Sequence, residues 1–135
     1  MELETLSQTI RKHSLTQRAV LGVYVACFAV GAFNHGRDFL SYGARPYNWA
    51  PALLEAFWSA LLFLDLATIG LLLLGKLRVG LALAVAIMIS DVAANSYGFF
   101  VLGIPGFKVA LPLQAAFLGF VLGSAPFLWP NRETA

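Results

Sequence analysis

The stretch Glu55–Lys108 reads EAFWSALLFLDLATIGLLLLGKLRVGLALAVAIMISDVAANSYGFFVLGIPGFK, and between its charged ends only Asp65, Lys76, Arg78 and Asp91 carry charge. Lys76 and Arg78 sit together and divide it into two apolar runs, each with one aspartate inside. A helix needs about 20 apolar residues to cross a hydrocarbon core of ~30 Å, and both runs are long enough. Two membrane spans joined by a tight turn centred on Leu77 follow from this pattern. Tyr47, Trp49 and Pro51 precede the first span as interface and helix-start residues. Gly103, Pro105 and Gly106 close the second.

Outward in both directions the pattern repeats. Ala19 to Phe33 is apolar apart from the Tyr24 hydroxyl, and just before it Ser14 and Gln17 have the spacing of a capping box. Val109 to Asn131 holds no charge, and Trp129 and Pro130 end it as interface and stop signals. The expected fold is therefore all-α: one integral membrane domain over residues 1–135, with four transmembrane helices at about 15–36, 51–75, 79–102 and 108–129. Residues 1–14 form a short N-terminal segment in which Leu3, Leu6 and Ile10 recur at helical spacing, as in an amphipathic helix on the headgroups; a frayed terminus is the alternative. The longest loop is expected from Gly36 to Ala50.

Composition agrees with this reading. Of 135 residues 59% are hydrophobic and 12% charged, against about a quarter charged in soluble domains. The nine basic residues are scattered and form no stripe for nucleic acid, so that partner is excluded. Cys27, the only cysteine, has no disulfide partner and reads as a small buried hydrophobe. No phosphate loop, nucleotide fingerprint or Ser-His-Asp order is present, no cofactor is implied, and His35, Asp38 and Glu55 lack the spacing of a tight metal motif. Nothing in these motifs supports an enzyme.

Asp65 and Asp91 are the residues that a span should not contain, since an aspartate at mid-helix costs about 2.5–3.5 kcal/mol on insertion. Counted from Leu77, Asp65 is twelve residues before and Asp91 fourteen after, so their depths differ by only ~3 Å. Two facing carboxyls in a low dielectric would share a proton, which makes a proton or cation site. Asn95 lies one turn from Asp91 on a slim face with Ala84, Ile87, Met88, Ala94 and Gly98. Ser59 at the depth of Asn95 and Thr68 one turn from Asp65 are candidate partners, and mutually satisfied polar glue is the competing reading.

A second cluster, Asn34, His35, Arg37 and Asp38, ends the first span, and Glu55 begins the second at a similar depth. His35, Asp38 and Glu55 would form the mouth of a cavity floored by Asp65 and Asp91, with Tyr42, Tyr47, Trp58 and Tyr97 as aromatic lining. Ordinary interfacial ion pairs, Arg37 with Glu55 or Asp38 with Arg45, are the plainer alternative.

Asn34-His35 and Asp38 at the end of the first span, and Phe63-Leu64-Asp65-Leu66 within the second, resemble the four-helix EXPERA group of sterol isomerases and sigma-2 receptors. That resemblance implies an intramembrane ligand or isomerase site, with Glu55 or Asp65 as proton donor and His35 as shuttle. From the residues themselves, the leading expectation is a membrane protein that binds or transports a proton, a cation or a small amphipathic amine through Asp65 and Asp91. A structural subunit without a cavity is the third reading.

Helices in lipid associate through small residues and buried hydrogen bonds. Ala115, Gly119 and Gly123, Ala94 and Gly98, and Gly22, Ala26 and Cys27 are expected to mark the seams of a left-handed bundle. Gly119 and Gly123 could serve within the chain or join two chains as a homodimer. Arg11, Lys12, Arg18, Lys76, Arg78 and Arg132 fall on one side against Arg37, Arg45 and Lys108 on the other, which predicts a cell-membrane protein with both termini cytoplasmic. Alkaline phosphatase fused at Ala44 should be active and at Leu77 inactive; the reverse would invert the orientation.

Overall fold

In a computed structural model, which describes residues 2–4 and 13–131, the chain is an all-helical bundle. Four helices are long and apolar enough to cross a membrane: α1 (Leu15–Tyr42), α2 (Ala52–Leu73), α3 (Leu77–Phe100) and α4 (Phe107–Leu128). Residues 2–4 are helical, and no strand occurs among the described residues. Leu6, Ile10, Arg11, Lys12 and Arg132 lie outside them.

Local chemistry sets the helix ends. Ser14 Oγ accepts from the Gln17 amide at 3.1 Å and Gln17 Oε1 from the Ser14 amide at 3.0 Å, a complete capping box. With no breaker before Gly43, α1 continues past Gly36, where a loop was expected, and its 28 residues make ~42 Å, longer than the hydrocarbon core. Asp38 lies in its last turns, beyond the apolar run.

At the end of α2, Gly75 takes φ +74°, its amide donates to the Leu72 carbonyl, and the Lys76 amide donates to the Leu71 carbonyl. These are the paired bonds of a Schellman motif, and glycine meets its left-handed requirement without a Cβ penalty. The turn thus centres near residue 76, not on Leu77, as the packing of Gly80 on Leu72 also requires.

The helices are ordered in a ring. Each packs on its chain neighbour, α1 and α4 close the ring through the thinnest interface, and across the diagonal α2 and α4 meet at their loop-side ends through the rings of Trp58 and Phe107. The buried face of α3 includes Ala84, Ile87, Met88, Asp91, Asn95 and Gly98, with Ala94 half-buried beside it. Tyr24, fully buried, joins the termini-side halves of α1 and α4: its hydroxyl donates to the Val121 carbonyl at 3.1 Å and lies 2.9 Å from Ser124 Oγ.

Only some of the small residues sit in seams. A Cβ on Gly98 would stand 2.7 Å from the Phe107 ring, so this glycine lets the start of α4 close on α3. Ala115, Gly119 and Gly123 instead lie on the exposed face of α4, and Gly22 and Ala26 are exposed on α1. Four-residue spacing places residues on one face without saying which way that face turns.

The same substitution should therefore have opposite signs at two helical glycines. Gly98→Ala, forced against Phe107, should cost about 1–3 kcal/mol. Gly70→Ala, with nothing within 4 Å, should stabilise by about 0.5–1 kcal/mol through helix propensity. Thermal or denaturant unfolding in micelles measures both.

Candidate functional site

Asn95 organises the polar interior. Trp58 Nε1 on α2 donates to Asn95 Oδ1 at 2.8 Å. Asn95 Nδ2 donates to Asp91 Oδ1 at 3.0 Å and to Gln114 Oε1 on α4 at 2.7 Å. An amide nitrogen has two hydrogens, and both are used. One buried carboxamide thus ties α2, α3 and α4 at a single level.

Asp65 is placed differently. It is buried and makes no hydrogen bond to the described residues. Its Oδ2 lies where a Cβ on Gly31 of α1 would be, 2.6 Å away, so the carboxyl rests against bare α1 backbone. Thr68 does not reach it, because Thr68 Oγ1 donates to the Leu64 carbonyl of its own helix at 2.9 Å. Ser59 is likewise not the partner of Asn95; Trp58, one position earlier, is.

With the turn centred at residue 76, Asp65 is level with residue 87, four positions and ~6 Å from the level of Asp91 rather than ~3 Å. Helical side chains lean toward their own N-terminus, and the two helices are antiparallel, so the two carboxyls lean toward one another across that offset. No hydrogen bond joins them directly.

Both acids line a cavity of about 440 Å³ in the loop-side half of the bundle. Asn34, His35 and Gln114 supply the rest of its polar lining, while Phe28, Met88 and Phe117 are among its apolar walls. Cys27, half-buried rather than buried, also faces this space. Its rim includes Ala26, Val30 and Asn34 on α1 and Leu113 on α4, all exposed, so the cavity opens sideways where α1 and α4 part.

The loop-side end is covered by aromatic rings. Trp58 contacts Tyr47, Trp49 and Phe107 with ring centroids at 5.9, 6.0 and 5.5 Å. Tyr47 and Trp58 belong to this cap and do not line the cavity, and Tyr42 and Tyr97 are exposed, so the aromatic lining expected from these four is not formed. Phe28 and Phe117 take that place.

The mouth residues divide. Glu55 accepts two hydrogen bonds from the exposed Arg45 guanidinium, both at 2.8 Å, and stands away from the cavity. This pairing raises the Arg45 pKa and replaces the expected pairs of Arg37 with Glu55 and Asp38 with Arg45. Asp38 also lies off the cavity and accepts from the Tyr47 hydroxyl at 2.7 Å. His35 Nδ1 lies 2.8 Å from the same hydroxyl.

Because the one Tyr47 proton goes to Asp38, Nδ1 must donate, which leaves Nε2 of neutral His35 as a bare acceptor. Nε2 has no partner among the described residues. Burial, the Asp38 hydrogen bond, and the charges of Asp38 and Asp91 hold the Tyr47 phenol above its ordinary pKa, so it stays a donor.

Of the expected site residues, Asp65, Asp91 and His35 therefore line one cavity, Asn95 holds Asp91 from behind, Asp38 holds His35 through Tyr47, and Glu55 stands apart. Gln114 was missed, although it is the most polar side chain of α4 after Lys108 in its first turn. No cluster of three or more metal-ligating side chains occurs among the described residues. The chain matches no known protein family, no curated protein and no solved structure.

Asn95→Leu strips partners from Trp58, Asp91 and Gln114 together, whereas Gln114→Leu removes a single bond. The first should cost about 3 kcal/mol or more and the second about 1 kcal/mol, read from unfolding in micelles. Equal costs would mean that Asn95 is not the hub.

Proposed function

We propose that this multi-pass membrane protein binds, and on binding can carry, a small protonatable or cationic ligand in the cavity of Asp65 and Asp91. The observation that carries this reading is the carboxyl of Asp65, a buried residue that makes no hydrogen bond among the described residues and borders an open space of about 440 Å³. Such a volume suits a small ligand, and its mixture of apolar walls and a few polar groups suits an amphipathic amine. The ammonium would sit at Asp65, with Asp91 held ready by Asn95 as the second acceptor, and the alkyl portion would lie along Phe28, Met88 and Phe117. A proton alone could occupy the same two acids.

An isomerase acting on a sterol-like lipid is the second reading, favoured by the shared cavity of Asp65 and His35 and by the bare Nε2. Glu55, tied to Arg45, takes no part in it. The proposed location is the cell membrane with both termini cytoplasmic, on the distribution of Lys and Arg. The exposed stripe of Ala115, Gly119 and Gly123 on α4 supports close approach of a second copy.

The single cysteine provides the test, since Cys27 faces the cavity. Dodecylamine should slow its modification by a maleimide in purified protein, and dodecanol should not. Asp65→Asn should weaken that protection about tenfold or more, ~1.4 kcal/mol, with a smaller loss in Asp91→Asn. Proteoliposomes with a pH-sensitive dye measure proton movement in parallel. If the double variant keeps both amine protection and proton flux, the reading fails; turnover of a sterol-like lipid would select the isomerase.

A further inference from the structure

A second recess, of about 490 Å³, lies on the termini side between α1 and the α2–α3 turn. Its α1 wall runs through Arg18, Leu21, Gly22, Val25, Ala26 and Ala29, one helical face at three- and four-residue spacing. Residues 72–75 and Leu77 form the opposite wall, and apart from His13 and Arg18 the lining is apolar. Among the described residues neither of these two side chains has a hydrogen-bond or ion-pair partner, and no acidic residue lines the recess. The exposed Lys76 follows Gly75 at the rim.

The shape has a physical origin. Gly22, Ala26 and Ala29 keep the α1 face shallow, and a Cβ on Gly22 would meet nothing within 4 Å. From Arg18 to Ala29 the helix rises ~16 Å, about half of a ~30 Å hydrocarbon core. The recess is therefore one leaflet deep, apolar along its length and basic at its headgroup end.

We infer that it seats one anionic phospholipid, with the phosphate at His13 and Arg18 and an acyl chain along Gly22 and Ala26. Free phosphate finds no polar wall below Arg18, whereas a phospholipid satisfies both the basic end and the apolar length. A zwitterionic lipid fits the same walls but brings a positive headgroup beside Arg18, Lys76 and His13, so charge selects the anionic one. Ala26 lines both this recess and the acid cavity, so the chain would end against the wall of the proposed ligand site, yet the inference does not depend on what that site binds.

Native mass spectrometry of the full chain in detergent, with equimolar phosphatidylglycerol and phosphatidylcholine of identical acyl chains, tests it. Wild type should retain one phosphatidylglycerol with about fivefold preference, the ~1 kcal/mol of one basic residue at a lipid surface. Arg18→Gln should bring the ratio close to one. Gly22→Leu, whose Cβ would meet nothing within 4 Å and whose side chain would occupy the recess, should lower retention of both lipids. Equal retention of the two lipids by wild type, a preference that survives Arg18→Gln, or unchanged retention in Gly22→Leu would each overturn the assignment. Wild type that retains no lipid, its recess covered by residues 1–12 or by a second copy, would overturn it as well.

Discussion

Lipid tails are as apolar as leucine, so nothing resembling the aqueous hydrophobic drive holds these helices together, and an unpaired polar group has no water to turn to. Under that constraint the side chain of Asn95 has a weight that no apolar contact matches. It accepts from Trp58 and donates to Asp91 and Gln114, so its oxygen and both hydrogens of its nitrogen are engaged by residues from α2, α3 and α4. Displacing any one of those helices would leave at least one polar group unpaired in hydrocarbon. The same bond fixes the Trp58 ring, on which Tyr47, Trp49 and Phe107 assemble to close the loop side. The position of Asp91 and the sealing of the bundle's end thus have a common origin.

The contrast between the two aspartates gives the cavity its character. Asp91 is held by Asn95, while Asp65 is buried with only the open face of Gly31 against one oxygen. A carboxyl in hydrocarbon is tolerable as a neutral acid or beside a cation, and costly as a bare anion. Protein that only needed glue would have supplied a donor at this point, as it does for Asp91. Asp65 opens on space instead, and the missing partner is one that a ligand or a proton can provide.

Much of this was legible in the residues. The spans follow from the apolar runs, and Asp65, Asp91 and Asn95 stand out because charge and amide are costly where they occur. Gln114 was overlooked because a search for charge passes over a neutral amide, yet the same cost of burial applies to it. Counting residues from a turn put Ser59 opposite Asn95, but the turn centres nearer the α2 end, and the indole of Trp58 reaches across where a serine does not. The mouth was harder to read, since α1 continues to Tyr42 and the partners of Asp38 and Glu55 come from the following loop. Spacing alone also could not tell that Ala115, Gly119 and Gly123 turn outward, because that depends on which neighbour the helix has.

The opening of the cavity follows from how α1 is held at its two ends. On the termini side, Tyr24 binds it to α4 through Val121 and Ser124, and its ring lies against Phe117 and Phe120. On the loop side, His35 and Asp38 bind it through Tyr47 to the segment that leads into α2, and Phe39 meets Phe63 of α2. No hydrogen bond draws the loop-side half of α1 toward α4 among the described residues. A stiff helix anchored to α4 at one end and to α2 at the other must part from α4 between Phe28 and His35. Along that parting Ala26, Val30 and Leu113 are exposed and apolar and Asn34 is exposed and polar, so the opening to Asp65 and Asp91 is apolar over most of its length and polar toward the loop side. The proposed amphipathic amine fits such an opening, since its alkyl part matches the apolar stretch and its ammonium would meet the acids beyond it, whereas a hydrated metal ion would have to shed its water there.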